Sequence, residues 1–218
     1  MLNENIISLK KLIIEYAAHI ESMVADGMRG VFDRKNELLK KVIDESERTA
    51  NIMDLHVEDY AVNTVAKFQP VAVNLRLIVG IMKMSNSLER IGDHCVNIAQ
   101  SGLFLNEHPQ LKPFIDLPKM KDAVIDMLGK TSKALLELDA GLAKQVCRMD
   151  DIVDEYKRVV KTDLITDYME KDAKSIKRAL EILNISNNLE RIADLITNMC
   201  EDIIYIKDGE IIRHQNRK

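Results

Sequence analysis

Carboxylates recur in matched pairs along this chain. Glu89 and Asp93 stand four residues apart, as do Glu190 and Asp194. Each pair closes the same nine-residue phrase: Ser-Asn-Ser-Leu-Glu-Arg-Ile-Gly-Asp ends at Asp93, and Ser-Asn-Asn-Leu-Glu-Arg-Ile-Ala-Asp ends at Asp194. Seven of the nine positions are identical, at a constant offset of 101 residues. Two carboxylates at i and i+4 on a helix share a face and repel by about 0.2–0.5 kcal/mol, and nothing in folding requires that repulsion twice at matched sites. A bound cation would relieve it. Asn97 and Asn198, one turn further on, add amide oxygens as accessory donors. One helix gives an incomplete oxygen shell, and other acids at helical spacing can complete it: Asp54 with Glu58, Asp150 with Asp154, and Asp151 with Glu155. Asp54 and Glu155 also obey the offset of 101. Oxygen donors suit hard or borderline divalent or trivalent ions such as magnesium, manganese or iron better than a structural Cys/His zinc site. The residues do not choose among these ions, zinc included. A second reading stands beside this one: a solvated acidic face in which Arg90 and Arg191 pair with Asp93 and Asp194 at i,i+3.

Direction along the helix separates a surface site from an internal one. Leu77, Ile81, Met84, Leu88, Ile91, Cys95 and Ile98 form an apolar seam of alternating four- and three-residue steps. At roughly 100° per residue, Glu89 lies on the order of 130° from the centre of that seam, Asp93 roughly 170° and Asn97 roughly 150°. The second copy is in the same register, with Ile182, Ile185, Leu189, Ile192, Ile196, Met199, Ile203 and Ile206 as its seam. The acids therefore face away from the core. An alternative function, a metal-storing or di-metal redox bundle, needs inward carboxylates and Glu-x-x-His pairs on facing helices. His19, His56, His94, His108 and His214 supply no such spacing, and His94 reads as a solvent-exposed residue whose place in the second copy is taken by Leu195. Ser-His-Asp and Cys-His sets, a Gly-rich phosphate loop and His-Glu-x-x-His are all missing, so no nucleophile is in evidence.

The elements that must carry these residues are helices. Of 218 residues, 30% are charged, 46% hydrophobic and only 4% aromatic, with four Pro, eight Gly and no Trp. That is helical-bundle composition. The breakers predict six helices, at about residues 6–31, 35–67, 71–105, 119–138, 142–169 and 174–206, with Asp172 as an N-cap and Asp208-Gly209 as an exit turn. The expectation is all-α: two tandem three-helix bundles of antiparallel helices, residues 1–107 and 119–218, joined by a proline-rich linker at 108–118. A net charge of −4 gives no footprint for nucleic acid, and the basic stretch Arg213 to Lys218 reads as a solvated tail. Three Cys without a Cys-x-x-Cys pair read as free thiols in a reducing setting, with Cys95 buried in its seam. Neither a signal-peptide pattern nor an apolar run of the roughly 18–20 residues that span a bilayer is present, so a soluble protein is expected.

The twin Leu-Glu-Arg-Ile-(Gly/Ala)-Asp phrases, each late in a three-helix unit, resemble the PhoU phosphate-uptake regulators. The stretch Gln69-Pro70-Val71-Ala72-Val73-Asn74-Leu75-Arg76 is similar to that family's Gln-Pro-x-Ala-x-(Asp/Asn)-Leu-Arg. The second unit lacks this piece, having Glu170-Lys171 and Ile176-Lys177 at the same offset. The resemblance implies a cytoplasmic, dimeric, negative regulator of phosphate uptake and of the phosphate-starvation response. Its implied partners are the ATPase of a phosphate ABC transporter and a phosphate-responsive histidine kinase. It also implies multinuclear metal sites on the surface, at Glu89 and Asp93 and at Glu190 and Asp194. Asp54 and Glu58 match the family's upstream acidic helix in the first unit, and Asp150, Asp151, Asp154 and Glu155 that of the second.

Overall fold

The computed structural model describes residues 1–209; the basic stretch from Arg213 and His214 lie outside them. Six long helices fill the described residues. They are α1 (Leu2–Phe32), α2 (36–68), α3 (Ala72–Asn106), α4 (Asp116–Glu137), α5 (140–169) and α6 (Ile176–Asp208). Two of them contain π turns, Val42–Ser46 near the start of α2 and Leu164–Met169 at the end of α5.

Local chemistry sets the boundaries. Gln69 ends α2 in the left-handed region (φ 45°), its N–H bonding the Val65 carbonyl at 3.0 Å, and Pro70 cannot continue the ladder. Asp139 caps α5, accepting from the Leu142 N–H at 2.9 Å. Asp172 does cap, but it caps a 3-10 turn, Ala173–Ser175, ahead of α6. Gly209 (φ 75°) closes α6 in the left-handed cap that glycine adopts without strain. The expected linker is shorter at its far end, because α4 begins at Asp116 and takes Pro118 into its first turn. A proline is tolerated there since first-turn N–H groups have no intrahelical partner.

Both predicted seams are buried over their whole length. Within the first unit α1 and α3 run parallel: a Cβ at Gly92 would meet Ile20, and one at Gly102 would meet Val31, further along both helices. The chain therefore runs up, down and up, with only consecutive helices antiparallel. The two units then join through their third helices, which pack antiparallel. His94 meets Asn188 near the middle of this seam, Ser101 meets Glu181 at one end, and Arg76 reaches the Ile206 carbonyl at the other. Gly102 sits where α1, α2 and α3 converge. An added Cβ would stand 2.8 Å from Val31 Cγ2 and 3.0 Å from Leu39 Cδ1. Overpacking of this kind costs about 1–3 kcal/mol, against a helix-propensity gain of about 1 kcal/mol for Gly→Ala. Gly102→Ala is therefore expected to lose up to about 2 kcal/mol net, read as a lower urea midpoint. A higher midpoint would show that Val31 and Leu39 give way freely.

Candidate functional site

Each unit carries its acids on the face made by its second and third helices. In the first unit Glu89 is half-buried, while Asp93 and Asn97 are exposed. The Ser85 hydroxyl donates to Asp54 Oδ1 at 2.7 Å, which fixes the acid of α2 over α3. Burial, and then the negative charges of Asp93 and Asp54, hold the Glu89 carboxyl above its ordinary value, with Arg90 opposing them and Glu47 adding to them. Behind these acids lies Tyr16 of α1, 0% exposed. Its hydroxyl is buried without a hydrogen-bond partner. Burial first, then Asp54, Glu89 and Asp93, push that phenol well above its usual value.

The second unit repeats the scheme with different residues. Asp150 is half-buried on α5 and its Oδ1 is buried without a hydrogen-bond partner. Burial, followed by the charges of Asp194, Asp154, Glu190 and Asp151, pushes its carboxyl up to about 7. Asp154 is likewise raised, by burial and then by Glu190. Lys157 supplies a built-in cation, its Nζ 3.1 Å from Glu190 Oε1. Asp194 and Asn198 are exposed.

Not every predicted residue joins. Glu155 is exposed and held by Arg158 at 2.6 and 2.9 Å, which pulls its carboxyl below the usual range. The residue that faces Glu190 is Asp154, so the offset of 101 does not hold between α2 and α5. Glu58 is exposed and is not among the charges that shift Glu89 or Tyr16. Asp151 is exposed and acts on Asp150 from the edge. His94 is not the solvent-exposed residue expected. It is half-buried in the seam between the units, its Nδ1 2.9 Å from Asn188 Oδ1, and burial pulls its pKa down. Tyr16, Glu47, Ser85 and Lys157 belong to these faces although the acidic spacing does not point to them. A hydroxyl-bearing aromatic inside the otherwise aliphatic buried face of α1 was the one available signal for Tyr16.

Oxygen donors with orphaned buried polar atoms behind them fit a hard cation in chemistry. Among the described residues, however, no three His, Cys, Asp or Glu side chains are gathered as they stand into a set that could hold an ion. The carboxylates share a field, each raising the proton affinity of its neighbours. Their outward position does not fit a di-metal redox bundle, whose ligands lie in the core; here both seams are apolar.

The description "PhoU domain" belongs to a family model that matches residues 13–102 and, a second time, residues 117–203. The chain belongs to the PhoU family. Each PhoU match covers one three-helix unit, and both acidic faces fall inside the matched residues. Among curated relatives, the phosphate-specific transport system accessory protein PhoU homolog of Aquifex aeolicus is 33% identical over 96% of this chain and 94% of its own. The phosphate-specific transport system accessory protein PhoU of Escherichia coli K12 is 31% identical over 97% of this chain and 87% of its own. The crystal structure of PhoU from Pseudomonas aeruginosa matches with a TM-score of 0.91 at 28% identity, covering 96% of this chain and all of that one. No described helix is long and apolar enough to cross a membrane.

Proposed function

We propose that this PhoU-family chain is a non-enzymatic, cytoplasmic regulator that restrains phosphate uptake and the phosphate-starvation response. In this reading it works as a homodimer, docking on the ATPase of a phosphate ABC transporter and on a phosphate-responsive histidine kinase, with metal on its two acidic faces. The accessory role comes from relatives named for it that align along nearly their whole length. The observation that carries the site is Asp150, whose buried Oδ1 has no hydrogen-bond partner and which stands in the field of Asp194, Asp154 and Glu190. A face that holds this much negative charge against burial is built for a positive partner. Asp54, Glu89 and Asp93 would hold an ion in the first unit, with Asp150, Asp154, Glu190 and Asp194 in the second. A bound ion supplies positive charge that offsets the repulsion among them. Exposed Ile52 and Leu55 on α2 and Ile152 on α5 stand beside the acids, giving a docking protein apolar surface next to charge.

The test changes Glu89, Asp93, Glu190 and Asp194 together to alanine. Elemental analysis of protein purified without added metal is expected to show bound metal falling by more than about tenfold, since even supporting residues of metal sites are worth 10–100-fold. Capture of the transporter ATPase should weaken in parallel. Metal content and capture both at wild-type levels would overturn the assignment of these faces.

A further inference from the structure

The second unit holds a pair of thiols that neither the acidic faces nor the proposed regulation uses. Cys147 lies on α5 and Cys200 on α6, far apart in sequence and brought together by the packing of those helices. The Cys147 Sγ donates to the Thr197 carbonyl at 3.9 Å. A helical side chain leans back over the turn preceding its own Cα, so the Cys200 side chain covers the turn that contains Thr197. The packing of α5 on α6 thus brings both thiols to the Thr197 turn. They differ in access: Cys147 is half-buried, whereas Cys200 is fully buried, with Thr131 Oγ1 3.2 Å from its sulfur. The third cysteine, Cys95, sits alone in the α3 seam, 1% exposed.

We propose that Cys147 and Cys200 form a thiol–disulfide modification site, closed by exchange with a low-molecular-weight disulfide. Cys147 gives up its proton and its thiolate attacks one sulfur of the reagent; the S–S bond breaks and one thiol leaves with that proton, leaving a mixed disulfide on Cys147. Cys200 then gives up its proton and attacks the Cys147 sulfur. The second thiol leaves with that proton, and the Cys147–Cys200 bond forms. Two protein thiols lose two electrons, and the reagent gains them as two thiols. The order of attack follows access: a reagent from solvent reaches the half-buried Cys147 first, and the fully buried Cys200 then meets it from within.

The site is one-sided. At the offset of the third helices Cys200 corresponds to Ala99, and Glu47 on α2 occupies the place that Cys147 holds on α5. Closure would tie together the helices that carry Asp150, Asp154, Glu190 and Asp194, one helical turn from Asp150. The first face has no equivalent tie. A reversible bond of this kind suits a reducing compartment, where disulfides are transient and sensing.

The experiment exposes the folded full-length chain to bis(2-hydroxyethyl) disulfide, a neutral reagent that the nearby acids do not repel. Alkylatable thiols are expected to fall from three to one. Intact mass should drop by about 2 Da, with one crosslinked peptide joining Cys147 to Cys200. Cys200→Ser is expected to stop at the mixed disulfide on Cys147, and Cys147→Ser to leave Cys200 unreacted. Three thiols surviving in the wild type, or a mixed disulfide on wild-type Cys147 that never closes, would overturn the proposal whether or not either variant folds.

Discussion

Replacing Asp150 by asparagine is expected to make the metal-free protein more stable at neutral pH, by on the order of 5 °C in Tm. Removing a hydrogen-bonding carboxylate from a folded protein ordinarily does the opposite. Here the sign follows from linkage. The Asp150 carboxyl titrates near 7 in the fold, against about 3.9 in an unfolded chain. Between those values the native state holds the proton more tightly, so stability contributed by the neutral acid is complete below pH 4 and is lost as pH rises through 7. Asparagine keeps the shape and removes the titration. The two proteins should therefore melt together near pH 4 and diverge as pH rises, which a series of thermal melts reads directly. A cation that settles on the second face should stabilise the wild type at neutral pH and have less effect on the variant. A variant less stable than wild type at pH 7.5 would show that the Asp150 charge is already compensated within the chain, with Lys157, the cation paired to Glu190, as the candidate.

The largest loss is expected from Leu189→Ala. Leu189 is 0% exposed in the α6 seam and precedes Glu190 in the repeated phrase. Truncating a fully buried leucine costs about 2–5 kcal/mol, the spread reflecting how far the cavity collapses. That is a large share of the roughly 5–15 kcal/mol that holds a protein folded. At about 2–4 °C per kcal/mol for a chain of this size, Tm should fall by roughly 4–20 °C. Leu88, equally buried at the matched position of α3, should lose a similar amount. A Leu189→Ala melt within 1–2 °C of wild type would mean that the seam does not carry the core.

The seams were legible because heptad spacing is a direct consequence of helix geometry, and each unit kept it without interruption. The acidic phrases were legible as outward-facing for the same reason. What spacing alone misplaced was the partner helix of the second face. Asp54 precedes Glu89 by 35 positions, while Asp154 precedes Glu190 by 36. The π turn Leu164–Met169 lies in the longer interval, and a π turn takes one extra residue into a helix. An offset copied from α3 to α6 therefore picks Glu155, one residue past the side chain that faces the site. Tyr16 and His94 were missed for another reason. Both owe their roles to packing between helices remote in sequence, and no local period reports that.

The seam between α3 and α6 has a consequence for how such a molecule can change. Two separate copies meeting through this surface would come apart on dilution, and any substitution would strike both at once. Carried on one chain, the halves stay together at every protein concentration, and each is free to drift alone. The drift is already visible: His94 meets Asn188 across the seam, while the matched positions hold Leu195 and Ser87. One half keeps a phenol behind its acids and the other a lysine and two thiols, so two copies of a single inherited surface now differ in chemistry.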